Sequence, residues 1–115
     1  MDVSTRQVNE VTIVDLSGPI TLAEGSTTLR DTIKQLVGQG QKHVLLNLGK
    51  VQYLDSAGIG ELVNALTRTR DQGGELKLLH LTQKVHDLLQ VTKLYEVFDI
   101  RDDETAAIQA FSKSA

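Results

Sequence analysis

The sequence predicts an α/β fold: a mixed, mostly parallel sheet of about 4–5 strands with about 4 helices. Two observations predict it. Short aliphatic or alternating runs, such as Val11–Leu16 and His43–Leu48, recur between longer stretches whose apolar residues keep helical spacing. Strands separated by helices of that length require crossover connections, which pair strands in parallel. The first strand instead has a close neighbour, Thr5–Val8, across Asn9-Glu10, and that hairpin makes the sheet mixed.

Val11-Thr12-Ile13-Val14-Asp15-Leu16 alternates like a half-buried strand, and Gly18-Pro19 ends its pairing because proline has no N–H for a ladder. Thr21-Leu22-Ala23-Glu24 matches a capping box, with Thr21 as N-cap of a first helix. Leu29, Ile33, Leu36 and Val37 supply that helix's apolar stripe, and Gly38 or Gly40 stops it. His43–Leu48 is the central strand, covered on both faces. Gly49–Leu54 is a loop, and a second helix runs from about Ser56 to Gln72, with Ile59, Leu62, Val63 and Leu66 facing the core and Gly73-Gly74 ending it. Leu76–Leu81 forms the next strand, Thr82 caps a third helix carrying Val85, Leu88 and Leu89, and Val97–Ile100 is a short strand. Asp102-Asp103-Glu104 places negative charge at the start of a last helix ending near Phe111. Lys77, Lys84 and Lys93 are expected on solvent-facing sides, as are Arg68, Arg70 and Asp71, and Tyr95 in the turn after the third helix is expected to pack. The last three or four residues are expected to fray.

A chain of 115 residues suits one domain, 1–115 with its core within about 11–111, and buries roughly two-thirds of its unfolded surface. Tryptophan is absent and the aromatics are Phe98, Phe111, Tyr53 and Tyr95, so the core is expected to be aliphatic. Twelve basic against fifteen acidic residues, net −3, with no basic cluster, give nucleic-acid binding little support. Without cysteine there is no disulfide, thiolate zinc site or thiol nucleophile. The first residues lack a signal-peptide layout, and no apolar run approaches a membrane span. A soluble, cytoplasmic protein with no membrane association is the expectation.

The most informative segment is Tyr53-Leu54-Asp55-Ser56-Ala57-Gly58-Ile59-Gly60. It sets a hydroxyl at a helix N-terminus, where free N–H groups and the dipole favour negative charge. One reading is that Asp55 or Ser56 simply caps the helix. Another is a phosphorylation site; the two are compatible. A serine nucleophile would need a base and usually a Gly-x-Ser-x-Gly elbow, and position 54 is Leu. His43, His80 and His86 are remote in sequence, although folding could bring one close. Gly58-Ile59-Gly60-Glu61-Leu62-Val63 begins like a dinucleotide fingerprint but ends in Val where Gly or Ala is needed. The spacing of His80 and His86 with Asp87 does not suit one metal-binding helical face. No metal or cofactor is expected.

Asn47-Leu48, then Leu54-Asp55-Ser56-Ala57-Gly58-Ile59-Gly60, followed by Gly73-Gly74 and Leu76–Leu81, resembles the STAS domain of bacterial anti-sigma factor antagonists. The resemblance spans about Val11 to Phe111 and implies a STAS-like fold and a non-enzymatic regulator of transcription. It also implies an anti-sigma factor partner, itself a serine kinase using ATP and magnesium, which phosphorylates the serine after the aspartate. The matching residue here is Ser56. A PP2C-like phosphatase would reset the switch. Ala57 stands where relatives often have Ser or Thr, and Thr21 where they often have an acidic residue. The expected partner surface is Asp55, Ser56, Ala57, Gly58 and Ile59 with Thr21, Leu22 and Ala23 as rim, although the helical phase of Ile59 also suits the core. The alternative is a non-switching STAS interaction module in a stress-sensing or transporter-associated assembly, with Ser56 only a helix cap. A nucleotide or small-molecule carrier using the glycine turn is a weaker third reading.

Overall fold

The computed structural model describes residues 1–111. The fraying expected of the final residues lies outside this range. In chain order the elements are β1 (Asp2–Val8), β2 (Val11–Ser17), α1 (Ser26–Gly38), β3 (His43–Lys50), α2 (Ser56–Asp71), β4 (Glu75–Leu79), α3 (Gln83–Val91), β5 (Asp99–Arg101) and α4 (Glu104–Gln109). The five strands form one sheet in the order β1-β2-β3-β4-β5. β1 pairs antiparallel with β2, and the other pairs are parallel.

The hairpin turns at Asn9, whose φ of 55° lies in the left-handed region that asparagine tolerates. Each parallel crossover moves one strand along the sheet, so three crossovers of one hand leave their helices on one face. Val14, Leu46 and Leu78 from the strands meet Leu29 and Ile33 of α1, Leu62 of α2, and Val85 and Leu89 of α3 there. The opposite face carries a smaller cluster in which Ile13, Leu45 and Leu79 meet Ala107 and Phe111. That second cluster explains why β3 lacks simple alternation: Leu45 and Leu46 point to different faces and both are fully buried.

Three sequence expectations need correction. Thr21 does not cap α1. The helix begins at Ser26 behind Gly25, which has a φ of 94° and provides no side-chain cap. The Thr21 hydroxyl accepts the Glu24 N–H at 3.0 Å and closes a separate turn, while the Glu24 carboxylate reaches the N-terminal amine at 3.5 Å rather than the Thr21 N–H, which donates to the Glu24 carbonyl. The local hydrogen bond of the motif forms, but the chain needs a further turn before it can enter the helix.

Lys77 does not face solvent. It is 6% exposed, its ammonium 2.7 Å from Asp99 Oδ2 and 3.4 Å from Glu75 Oε2, and 5.0 Å from the Phe111 ring centroid. Alternation assigns Lys77 to the face opposite Leu76 and Leu78, but the turn after α4 covers that face with an aromatic ring. The last strand also lies later than expected, at Asp99–Arg101. Lys93 takes a φ of 61° and a turn through Leu94 and Val97 occupies the preceding residues. Its neighbour β4 stops at Leu79, because His80 turns to a φ of 58° and donates its N–H to the Arg101 carbonyl.

Ion pairs hold the second face together. Arg6 on β1 meets Asp15 on β2 at 2.6 Å and Glu104 at the start of α4 at 2.7 Å. Arg6 holds the Asp15 carboxyl below the usual carboxylate range, and does the same to Glu104. Asp99, bonded to Arg101 and Lys77, is lowered to about 2.

These carboxyls titrate lower in the folded chain than in the unfolded one, where the ordinary value is about 4. Their stabilisation is therefore complete above about pH 4 and disappears as pH falls through the folded values, to about 2 for Asp99. A melting-temperature profile should drop across that acidic window. Asp99→Asn should flatten part of the drop, and equal slopes for variant and wild type would contradict this assignment.

Candidate functional site

β2, β3 and β4 run parallel, so the loops leaving their C-terminal ends gather along one edge of the sheet, the usual place for sites in such folds. The chain after β2 continues beside the chain after β3. Ile20 N–H donates to the Tyr53 carbonyl at 3.0 Å, and Asp55 N–H to the Ile20 carbonyl at 3.3 Å. This extension of pairing beyond Gly18-Pro19 brings residues 20–25 against the start of α2.

Asp55 fastens the two segments. Its Oδ1 accepts the Gly58 N–H at 2.9 Å and so caps α2, while its Oδ2 accepts the Leu22 N–H at 2.9 Å. Two backbone donors stabilise the ionised form and hold the carboxyl below its ordinary pKa, the Leu22 donor contributing most. Gly58 makes the approach feasible: a Cβ there would overlap the Ile20 carbonyl oxygen. Gly60, one turn edge further, has open space where a Cβ would be.

Asp55 therefore takes the capping role that the sequence left open between Asp55 and Ser56. Ser56 is the first residue of α2 and is exposed, and its hydroxyl has no hydrogen-bond partner among the described residues. No histidine approaches it as a hydrogen-bonded base among those residues. His86 instead stacks edge-on with Tyr95 at 4.8 Å. No group of three or more acidic, histidine or cysteine side chains among the described residues is arranged to hold a metal ion.

The other residues expected at the site gather around Ser56 at different depths. Leu22 projects from the rim with 77% of its surface exposed, and Ala23 beside it is also exposed. Thr21, Asp55 and Ala57 are half-buried. Gly58 is buried beneath Ile20, and Ile59 is half-buried with its side chain against the main core. Ile20 is the structural residue that sequence reasoning missed. The bare Gly58 was its signal, since a helix-entry glycine with ordinary φ implies something packed close above it. Among the described residues no helix is long and apolar enough to cross a membrane.

The site is thus an exposed serine beside an Asp55 clamp at one edge of a five-stranded mixed sheet. The STAS domain family model matches residues 2–107, and the chain belongs to that family of regulatory, non-catalytic modules. Within it the chain is similar to the anti-sigma F factor antagonist of Paenibacillus polymyxa, 29% identical over 85% of this chain and 84% of the relative. An anti-sigma factor antagonist structure from Mycobacterium paratuberculosis superposes with a TM-score of 0.83 at 18% identity, covering 95% of this chain and 92% of that one. The phosphorylated form of the Bacillus cell fate determinant SpoIIAA superposes with a TM-score of 0.71 at 18% identity, covering 94% and 98%.

The two glycines of α2 should respond oppositely to alanine. Gly58→Ala must push apart the backbone of Ile20 and α2, and should cost about 3 kcal/mol. Gly60→Ala meets nothing and removes chain entropy from the unfolded state, so it should add about 0.5–1 kcal/mol. Urea unfolding of the two variants measures both, and equal effects would refute the close approach at Gly58.

Proposed function

We propose that this chain is a cytoplasmic anti-sigma factor antagonist. It binds an anti-sigma factor kinase through the edge around Ser56, frees the sigma factor, and is switched off when Ser56 is phosphorylated. The observation that carries this reading is the division of labour at the start of α2. Asp55 satisfies the helix and ties the rim, which leaves the Ser56 hydroxyl exposed and unbonded. Modifying that oxygen breaks no internal hydrogen bond.

The switch follows from two environments for one group. In the free protein a phosphate sits at the positive end of α2, worth about 0.3–1 kcal/mol, and stays hydrated. At a protein interface it brings a charge of about −1.5 to −2 beside the ionised Asp55. A hundredfold loss of affinity needs only about 2.7 kcal/mol, and desolvating a poorly paired charge costs several kcal/mol. Phosphorylation thus blocks docking before it threatens the fold. Leu22, held in place by its own N–H on Asp55, is the apolar anchor of the docking surface, with Thr21, Ala23 and Ala57 around it. Gly58 and Ile59 shape that surface mainly from below.

In the forward step the Ser56 Oγ attacks the γ-phosphorus of magnesium-bound ATP, ADP departs, and the hydroxyl proton passes to a base of the kinase. A PP2C-like phosphatase restores the hydroxyl with water and releases inorganic phosphate. The resemblance of this chain to anti-sigma factor antagonists, including one solved in a phosphorylated form, supports the scheme.

Incubation with each anti-sigma kinase of the source genome, ATP and magnesium should place one phosphate on Ser56, located by mass spectrometry. Ser56→Ala should take no label yet still bind that kinase. Ser56→Asp should bind at least about tenfold more weakly while melting at the wild-type temperature. Wild-type affinity in Ser56→Asp would overturn the electrostatic block.

A further inference from the structure

One flank of α3 carries an apolar strip that nothing among the described residues covers, beside the polar outward positions Gln83, Asp87 and Gln90. Val85 and Leu89 already bury themselves in the core. On the outer side Lys84, Leu88 and Val91 follow the i, i+4, i+7 spacing of a single stripe. Val91 is 80% exposed, and the stripe lines an open groove of about 490 Å³. An isolated surface valine is ordinary; a valine continuing a groove with a half-buried leucine and a lysine stem forms a contiguous apolar strip.

This strip joins the Ser56 edge. Lys84 Nζ lies 5.2 Å from the Tyr53 ring centroid, and Tyr53 is 42% exposed. The Tyr53 backbone carbonyl receives the Ile20 N–H, two residues before Leu22. The start of α3 is tied to the same loop, because the Thr82 hydroxyl donates to the Val51 carbonyl at 3.0 Å. Among the described residues Lys84 forms no ion pair. Asp87, at the groove's rim, is engaged by Gln83 Nε2 at 2.8 Å and faces His86.

The geometry points to this strip as a second arm of the docking surface, an inference that rests on the reading of the Ser56 edge as that surface. The partner is the same anti-sigma factor. It lays an aliphatic side chain between Leu88 and Val91 and sets a carboxylate on Lys84, with Tyr53 joining the two arms. Tyr53 is of the residue type enriched at interface hot spots; beside it the strip adds a cation without an acidic partner and an aliphatic seat along the same surface. The α3 arm supplies affinity that does not depend on the serine, so the unmodified protein binds through both arms and the phosphate needs to defeat only one.

The test uses the kinase that labels Ser56. Its affinity for unmodified wild type is compared with Val91→Asp, Lys84→Glu and a control at the hairpin turn, Glu10→Lys. Both α3 variants should lose about tenfold or more, the control should match wild type, and all should melt like wild type because the three positions are exposed. If Ser56 is labelled while both α3 variants keep wild-type affinity, the second arm is wrong and the switch stands. If no kinase labels Ser56, the reading beneath this inference fails and the arm fails with it. Concentration-dependent self-association of wild type that Val91→Asp abolishes would assign the strip to a second copy of the chain instead.

Discussion

One carboxylate organises the functional edge. Asp55 accepts an N–H from the helix it caps and another from Leu22, thirty-three residues away in sequence. Either bond alone is common: helices are capped and loops are pinned everywhere. Their coincidence in one side chain ties the rim to the same carboxylate that caps α2, which sets the rim's position relative to the serine. Gly58 reinforces the constraint by letting the Ile20 backbone press directly on the helix. A surface loop that would otherwise be a loose connection becomes a fixed part of the edge around Ser56, with its ordering entropy spent at folding.

The two faces of the sheet are closed in different ways. Three helices and the larger core occupy one side, and the strand-end loops that lead into them form the edge carrying Ser56. The other side is closed by the short α4, which rests on Ile13, Leu45 and Leu79 through Ala107 and Phe111 and is flanked by charge: Arg6 reaches Glu104, and Lys77 is held by Asp99 beside Phe111. Buried or half-buried ion pairs are poor sources of net stability but punish the loss of one partner severely. They therefore specify where α4 sits rather than how firmly the domain holds.

Much of the architecture was legible because hydrophobic period, turn residues and cap residues agreed with one another. The hairpin at Asn9, the Thr82 cap and the α2 stripe of Leu62 and Leu66 all form where these signals coincide. The misreadings share a cause: they required knowledge of a non-local neighbour. Lys77 has the sequence context of an exposed lysine until Phe111 folds across it from the far end of the chain. Thr21 forms the local bond its motif predicts, but where α1 starts is decided by the clamp between Leu22 and Asp55 and by a left-handed Gly25. At the site, the motif located Ser56, whereas the choice of Asp55 as cap and Ile20 as ceiling needed coordinates.

The order of the strands has a consequence for how the molecule is made. Every strand lies beside its predecessor in the chain, so each βα unit emerging from a ribosome can add to a surface already in place. The contacts of α4 and Phe111 are the exception: Arg6–Glu104 joins residues 98 positions apart, and Ile13 likewise waits for Ala107 and Phe111. Translation would thus finish the serine-bearing edge well before the rear of the sheet is closed, and nascent chains would hold the Asp55 clamp ahead of full native stability.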